Sequence, residues 1–355
     1  MKIKVFLRVF GVISILLTLF PYISANQWYI RIFDFPHLQL TLLTLLALLV
    51  YFLKFNFGNF IDYLFVLVLG LCFVFQSLKI YPYTAFAHYE VQNSSPSASN
   101  ELSIYTANVL QENKKIKELL SDIKSNDADL MVFTETNTRW INILKKELAE
   151  TYRYTVEVPL ENTYGMVFFS KLESHNAAVH YMVEDSIPSI HTQIILETKD
   201  TIQLYAIHPA PPAPQHNPSS VDRDAEMMKV TRLARESKFP VVVLGDFNDV
   251  AWSETTTLFQ KVSGLLDLRK GRGFYSTYNA KSWFMRWPLD HVFASAHFRI
   301  KEVHRGSKIG SDHFPFYAKF TFEPALAAMQ KLPEPSDEDL KIAFDQIIEE
   351  EKENE

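Results

Sequence analysis

The sequence predicts an α/β or α+β sandwich of packed layers that follows three membrane helices. Two observations lead to this prediction. Three long apolar segments fill most of the first 80 of the 355 residues. From Glu101 to Phe322, short apolar runs of strand length then alternate with helical stretches. Mixed helices and consecutive strands of this kind are typical of domains built from layered sheets and helices.

The three apolar segments run from Val5 to Ser24, from Leu38 to Leu53 and from Phe60 to Leu78. Each is close to the ~20 residues that cross ~30 Å of hydrocarbon. A buried core helix is an alternative for one such segment, but hardly for three in succession. The first segment could instead be a secretory signal peptide, because Lys2 and Lys4 form a positively charged start. Ile23 is a poor residue for its cleavage site, since such sites need small side chains.

Basic residues predict the orientation of these segments. Lys2, Lys4 and Arg8 flank the first segment, and Lys54 lies between the second and third. The positive-inside rule therefore puts the N-terminus in the cytoplasm and everything after Leu78 outside the membrane. We expect a multi-pass protein of the cell (inner) membrane whose later residues lie on the extracytoplasmic side.

The strands and helices of the following region are predicted from apolar spacing. A helix over 112–126 follows from Ile116, Leu119, Leu120 and Ile123, which recur at helical intervals. Further helices are predicted at 139–150, 221–237 and 252–262. Strands are predicted at 102–108, 129–135, 154–158, 165–170, 175–181, 190–197, 202–208, 241–244, 289–294, 298–303 and 314–322. The five successive strands between 154 and 208 are expected to form a β-meander.

Two segments flank this predicted domain of residues 101–322. Residues 81–100 end in VQNSSPSASN, a small polar stretch with one proline that is typical of a flexible linker between residues 1–80 and the domain. Residues 323–355 form an acidic tail, in which Ser336 and Asp339 predict a capped final helix. We expect that helix to be solvated and frayed, because the chain ends in the acidic run EEEKENE.

Composition narrows the possible functions. The net charge of -6 argues against electrostatic binding of nucleic acid along the whole chain. The single cysteine, Cys72, excludes an intramolecular disulfide, so cysteine content does not indicate the compartment. The sequence contains no internal repeat and no Gly-rich phosphate loop.

The stretch Pro240 to Asp249, PVVVLGDFND, combines a continuous apolar run with an abrupt polar end. Such a run fits a strand that is buried on both faces. Asp246 and Asn248 are two residues apart, so on a strand they point to the same side. Turn formation is the alternative explanation for an Asp and an Asn after a strand.

Six polar clusters occupy or follow apolar runs in this way. They are Asn108 in IYTANVL, Glu135 in LMVFTET, His208 in LYAIHPAPP, Asp246 with Asn248 in GDFND, Asp290 in PLDHVFAS, and Asp312 with His313 in GSDHFP. A polar group buried without a partner is costly, so each should face a partner, a metal or a substrate. Any one cluster is more often structural, but six structural clusters are much less expected.

In their order, these motifs make the domain resemble the endonuclease/exonuclease/phosphatase superfamily, which includes DNase I-like nucleases, sphingomyelinase-like enzymes and inositol-phosphate 5-phosphatases. GDFN followed by SDH is the specific pair, and the resemblance covers nearly all of residues 101–322. It implies a four-layer sandwich with two central sheets between helices and a site at one edge. It also implies hydrolysis of phosphoester bonds with a divalent metal.

The metal ligands expected from this reading are Asn108, Glu135 and Asp312, with Glu135 the strongest. Their oxygen atoms suit Mg²⁺ or Mn²⁺. The sequence departs from many family nucleases two residues after Asn108, where Leu110 replaces a second polar ligand. The metal site is therefore expected to depend more on Glu135 and Asp312.

The expected catalytic residues are His208, Asp246, Asn248, Asp290 and His313. Asp246 would take up the proton of the attacking water or orient that water. Asn248 would donate a hydrogen bond to the charge that develops in the transition state. His313 would contact the phosphate or exchange a proton, and family analogy makes Asp290 the residue that orients it. His208 would donate to the phosphate or the leaving group. No role is expected for His191 on the surface, His216 in a loop, His291 on a strand or Cys72 in the membrane.

The expected substrate is a phosphoester, either a nucleic acid or a lipid headgroup. The stiff loop PAPPAPQHNP after His208 could shape the mouth of the site. Basic residues precede Asp290 with aromatic residues among them, namely Lys261, Arg269, Lys270, Arg272, Lys281 and Arg286 with Trp283, Phe284 and Trp287. They suit a phosphate-binding rim, although a solvated basic face is the plain alternative. A protein that binds phosphoesters without turnover, or a scaffold, is the other class of function. Besides the bilayer, no obligate protein partner is indicated.

Overall fold

The structure is a computed structural model that describes residues 2–23, 25–214 and 217–353. Ser24, at the end of the first predicted membrane segment, and His216, to which the sequence assigns no role, lie outside the described residues.

Four α-helices precede the first strand, namely α1 (Lys2–Leu19), α2 (Trp28–Arg31), α3 (His37–Tyr51) and α4 (Phe60–Ile80). The strands that follow are β1 (Glu101–Asn108), β2 (Leu130–Thr134), β3 (Tyr154–Val158), β4 (Met166–Ser170), β5 (Ser174–His180), β6 (Ser189–Ile195), β7 (Thr201–Ile207), β8 (Val241–Asp246), β9 (Leu266–Asp267), β10 (Asp290–Ala294), β11 (Phe298–Arg305) and β12 (Phe316–Phe322). The helices among and after them are α5 (Ile116–Asn126), α6 (Thr138–Leu148), α7 (Val221–Glu236), α8 (Glu254–Ser263) and α9 (Asp337–Glu353).

The strands form two mixed sheets of six strands each. The first has the order β11-β12-β1-β2-β4-β3 and the second the order β5-β6-β7-β8-β10-β9. Each sheet contains one parallel pair, β1 with β2 and β7 with β8. The sheets pack face to face, and helices cover their outer faces, α5 and α6 on the first sheet and α7, α8 and α9 on the second. This is the predicted four-layer sandwich, and the fold prediction is confirmed.

Side-chain alternation along the strands explains the layers. In β1, Leu102 and Ile104 face the core between the sheets, whereas Tyr105 and Ala107 face the outer helices. Successive side chains of a strand point to opposite faces, so a strand that is covered on both faces is apolar throughout. The continuous run Val241–Leu244 has this pattern, and all four residues are buried.

Among the described residues, three segments are long and apolar enough to cross a membrane, at Lys2–Tyr22, His37–Lys54 and Phe60–Tyr83. Asp62 is fully buried among them and accepts hydrogen bonds of 2.8 Å from Arg8 Nη2 and Tyr51 Oη. Lys4 also contacts it. A buried carboxylate needs such partners, so Asp62 ties the three helices together at one end.

The segment that leads into the domain differs from the free linker predicted. Tyr83 and Val91 are buried, and Val91 belongs to the core between the sheets. Ser94 donates its backbone N–H to Ile300 O at 2.8 Å, so this segment runs beside β11. Composition indicated flexibility, but a few apolar residues and backbone pairing hold the segment against the domain.

Three further expectations from the sequence need correction. The strands between 154 and 208 do not form one meander, because β3 and β4 join the first sheet and β5, β6 and β7 the second. The final helix is capped by Ser336 and Asp339 as predicted, but it packs on α7 and α8 through Ala343 and Ile347. His191 is buried against Tyr205 and does not lie on the surface.

Candidate active site

The polar residues predicted from the sequence lie where strands of both sheets end. Asn108 ends β1, His208 follows β7 and Asp246 ends β8. Asp290 begins β10, which runs antiparallel to β8 and pairs Asp290 with Asp246. Asn108, His208, Asp246 and Asp290 are each an even number of residues from a core-facing neighbour in the same strand, so they continue the inner face of the sandwich. The site therefore lies at one end of the space between the sheets.

Backbone geometry at this end explains the glycine before Asp246. Gly245 has φ +137°, and a Cβ there would lie 2.0 Å from Ile207 O on the neighbouring strand. Only glycine allows β7 and β8 to approach in this way. Glu135 and Asn248 have φ values of 57° and 51°, in the left-handed region that non-glycine residues rarely adopt. Such conformations are concentrated at functional sites.

Asp246 is the centre of the polar contacts. Its Oδ2 accepts a hydrogen bond from Asn108 Nδ2 at 3.0 Å and lies 3.6 Å from His313 Nε2 and 3.8 Å from His208 Nε2. Its Oδ1 accepts the backbone N–H of Asn248 at 3.1 Å. The carboxylate is buried, so these groups replace water around it.

Glu135 lies on the other side of Asn108. The Asn108 Nδ2 atom also donates to Glu135 Oε1 at 2.7 Å, so a single amide bridges two carboxylates. Burial raises the pKa of Glu135, while His208 and the Asn108 hydrogen bond oppose that rise. The Asn108 Oδ1 atom accepts the Leu110 backbone N–H at 2.9 Å. The amide is thus held with its nitrogen toward the acidic groups.

His313 and Asp290 form a buried pair. His313 Nδ1 lies 2.7 Å from Asp290 Oδ2, and the other imidazole nitrogen faces Asp246. Burial lowers the pKa of His313, but Asp290 and Asp246 outweigh it and raise this pKa to about 10. The imidazole therefore carries a positive charge at neutral pH.

The remaining predicted residues make fewer contacts with the group around Asp246. The Asn248 side chain donates to Pro209 O at 3.0 Å, and this contact ties it to the loop after His208. His208 Nδ1 is buried and has no hydrogen-bond partner among the residues that the structure describes, and the imidazole ring lies 5.4 Å from the Tyr164 ring. Asp312 is partly exposed and lies 3.8 Å from Lys281 Nζ, outside the hydrogen-bonded group around Asp246.

Two sets of donors in this region could hold a cation. Asp246, Asp290 and His313 have ligand atoms within 4.8 Å of one another. Binding of a metal to this set would release the proton from His313, because a metal ligand must be deprotonated. The second set is Glu135 with Asp246, two carboxylates that both accept a hydrogen bond from Asn108 Nδ2. Oxygen donors of this kind fit Mg²⁺ or Mn²⁺.

A cleft of about 380 Å³ opens above these groups, and Glu135, Asp246, Asn248, Asp312 and His313 line its floor. Its walls include Pro211 and Pro212 of the loop that was expected to shape the mouth of the site, and Trp287 of the expected aromatic set. They also include residues to which the sequence analysis gave no role, namely Trp28, Arg31, Ile32 and Phe35 from the loop between α1 and α3, together with Tyr278 and Leu289. The only sequence signal for the loop residues was their position between two apolar segments.

The predicted basic rim is dispersed in the structure. Arg269 is fully buried and donates to His291 Nδ1 at 3.0 Å and to Asp290 O. Lys270 pairs with Glu90 at 2.9 Å. Lys261 pairs with Asp339 at 3.1 Å, and Arg272 donates to Asn93 Oδ1 at 2.6 Å. These four cations serve the fold, and the expectation that they form a phosphate-binding face is wrong.

Comparisons with known proteins agree with the fold. The model of the Endonuclease/Exonuclease/phosphatase family matches residues 104–313. Among solved structures, D. rerio TDP2 complexed with single strand DNA product is 16% identical with a TM-score of 0.53, over 63% of this chain and 100% of that one. The endonuclease/exonuclease/phosphatase from Bacteroides vulgatus is 16% identical with a TM-score of 0.51, over 63% and 100%. At these identities the likeness shows the fold alone. No curated protein matched the chain.

Proposed function

Because the chain belongs to the endonuclease/exonuclease/phosphatase family, we propose that it is a divalent-metal-dependent phosphodiesterase held in a membrane. The observation that carries the proposal is the set of side chains around Asp246. Asn108, His208 and His313 all reach one oxygen of this buried carboxylate, on the floor of an open cleft. Residues from three separate strand ends and from the loop before β12 converge there, which a purely structural role would not require.

Glu135 is the residue that would hold the cation, with Asp246 beside it. Asn108 in its present orientation directs nitrogen toward both carboxylates, so its expected ligation through oxygen stays a prediction. Asp312 stays a predicted ligand at the exposed side of the cleft. A bound divalent cation would neutralise phosphoryl oxygens and so favour attack at phosphorus.

The protein groups then divide the remaining work. Asp246 orients a water and takes up its proton as the water oxygen bonds to phosphorus and the bond to the leaving oxygen breaks. His313 faces the same point as a cation, held in place by Asp290, and can bind a phosphoryl oxygen. His208 and Asn248 donate to the phosphoryl or leaving oxygen. A buried, fixed arrangement of donors stabilises developing charge better than water does.

The membrane part of the proposal rests on three apolar helices and their charges. Lys4 and Arg8 pair with Asp62 at one end of the bundle, and the catalytic domain follows the other end. The positive-inside rule assigns the basic end to the cytoplasm, so the domain lies on the extracytoplasmic side. A reporter fused after Ser103 that is active only in the cytoplasm would contradict this orientation.

The test uses the purified full-length chain and a bis-aryl phosphodiester with Mg²⁺ or Mn²⁺. We expect hydrolysis that a chelator abolishes and added metal restores. Asp246→Asn and His313→Ala should each lower kcat by at least about 10³-fold. Asp129→Asn is the matched control, because Asp129 accepts hydrogen bonds from Ser103 at the opposite end of β1 and β2, away from the cleft. Near-normal turnover by either site variant would contradict the mechanism. Metal-dependent substrate binding without any turnover would favour the non-catalytic alternative.

A further inference from the structure

The loop between the first two membrane helices is fixed against the catalytic domain. Trp28 donates its backbone N–H to Pro218 O at 2.8 Å. At the other end of the loop, Trp252 Nε1 donates to Asp34 O at 2.8 Å. Both contacts join residues far apart in the sequence, so the loop has one defined position beside the cleft.

Three side chains of this loop, Trp28, Ile32 and Phe35, line the cleft and are here called the loop wall. Phe35 packs edge-on against Trp287, with ring centroids 5.7 Å apart. Ile32 is 53% exposed, so part of the apolar wall is open to whatever enters. The cleft thus has a polar, acidic floor and an apolar side contributed by the membrane anchor.

The charges of the cleft do not suit a nucleic acid. Among the described residues that line it, Arg31 is the one lysine or arginine, and its Nη1 lies 3.7 Å from Asp34 Oδ2. Three carboxylates, Glu135, Asp246 and Asp312, line the same cleft. Nucleic-acid strands are bound along basic grooves that follow several phosphates. This cleft offers charge compensation for a single phosphoester and an apolar surface next to it.

The proposed membrane placement puts the loop wall at the surface of the bilayer. It follows the span Lys2–Tyr22 and precedes the span His37–Lys54, so its residues lie within one short loop of both helix ends. Next to it, Gln39 Nε2 in α3 donates to Phe284 O at 2.8 Å, which holds the loop carrying the 86% exposed Trp283 against the same helix end. Exposed aromatic side chains of this kind are enriched at the membrane–water interface.

We propose that the cleft takes a phosphoester lipid from the bilayer, with the phosphate over Asp246 and the apolar part against the loop wall. The proposal rests on the proposed function, since it names the substrate class of the same site. The loop wall then acts as a specificity element that belongs to the anchor and not to the catalytic fold. A soluble phosphodiester would reach the floor but leave the wall uncovered.

The test compares two substrates with the same leaving group, ethyl 4-nitrophenyl phosphate and hexadecyl 4-nitrophenyl phosphate. The full-length chain is reconstituted in phosphatidylcholine vesicles with Mg²⁺ or Mn²⁺. We expect kcat/KM for the hexadecyl ester to exceed that for the ethyl ester by at least about 100-fold, as burial of an alkyl chain would give. Ile32→Ser should lower this ratio about tenfold, since it makes the exposed part of the wall polar. Tyr29→Ser is the matched control, because Tyr29 is equally exposed at 53% but does not line the cleft.

A ratio near one in the unmodified protein, an unchanged ratio in Ile32→Ser, or faster cleavage of single-stranded DNA than of the hexadecyl ester would overturn the proposal. Absence of hydrolysis of both esters would instead count against the proposed function. In that case the loop wall is tested by binding, from quenching of tryptophan fluorescence by the hexadecyl ester. Equal affinity of the unmodified protein and Ile32→Ser would then also refute the lipid assignment.

Discussion

Replacement of Asp290 by asparagine tests whether His313 works as a cation. Asp290 is fully buried, and its Oδ2 lies 2.7 Å from His313 Nδ1. Within the described part of the chain, its second oxygen, Oδ1, has no hydrogen-bond partner. Asparagine has the same shape and can still accept the N–H of His313 through its oxygen. The substitution therefore removes a charge and leaves the hydrogen bond and the packing.

The size of the effect follows from Coulomb's law. Two unit charges about 4 Å apart interact by about 4 kcal/mol at an effective dielectric constant of about 20. Loss of this interaction should lower the pKa of His313 by about three units, from about 10 to about 7. If His313 stabilises the transition state as a cation, kcat should therefore fall roughly 100-fold at pH 9, where the variant is mostly neutral, and should change little at pH 6. KM should change by less than about threefold, because the substituted residue, Asp290, does not line the cleft.

The assay measures kcat and KM separately for a bis-aryl phosphodiester with the full-length protein. Asp267→Asn is the control, since Asp267 is a buried carboxylate of the same sheet that pairs with Arg269 at 3.7 Å. It should lower the melting temperature and leave kcat within about threefold. A folded Asp290→Asn protein with kcat at pH 9 within tenfold of that of the unmodified protein would refute the role of His313 as a cation.

Three further predictions concern the fold. Gly245→Ala should destabilise the protein by more than about 2 kcal/mol in denaturant unfolding, because the new Cβ would meet Ile207 O at 2.0 Å. Burial raises the pKa of Glu226 from 4.5 to about 8, so the folded state keeps a proton that the unfolded state has released. The stability that this protonated group contributes is fully present below about pH 4.5 and is lost as the pH rises through about 8. Glu226→Gln should raise the melting temperature at pH 8.5 but not at pH 5, and parallel curves would contradict this. Ile347→Ala should cost about 2–4 kcal/mol, since Ile347 is buried between α9 and the domain, whereas Leu340→Ala on the exposed side should cost little.

Local sequence patterns were sufficient for most elements of the domain. The strand predicted at 154–158 has the bounds of β3, and the helix predicted at 221–237 differs from α7 by one residue. Polar residues directly after buried runs were also a sound guide, because Asn108, Glu135 and Asp246 do come together. The pattern points to such residues because a polar group that follows a buried strand is costly unless it has a partner nearby.

The features that failed depend on pairing between distant residues. Nothing local separates β4 from β5, although they belong to different sheets. β9 has only two residues and pairs with β10, so it leaves no periodic signal. Arg269 was grouped with the surface charges, but its partners Asp267 and Asp290 make it a buried residue. Tertiary contacts decide these cases, and local composition does not record them.

The segment that joins the apolar helices to the domain also depends on distant contacts, and it bears on the choice of substrate. A free linker of the predicted kind could extend on the order of 70 Å and would let the domain meet soluble substrates. In the structure, Val91 lies in the core between the sheets, Tyr83 is buried, and Trp28 pairs with Pro218. The three apolar helices and the domain are therefore joined at several points, so the cleft has a fixed position relative to those helices. If the helices span a membrane as proposed, the cleft meets lipids at the high local concentration of a bilayer, whereas a soluble polymer would have to approach past the exposed aromatic side chains around Trp283.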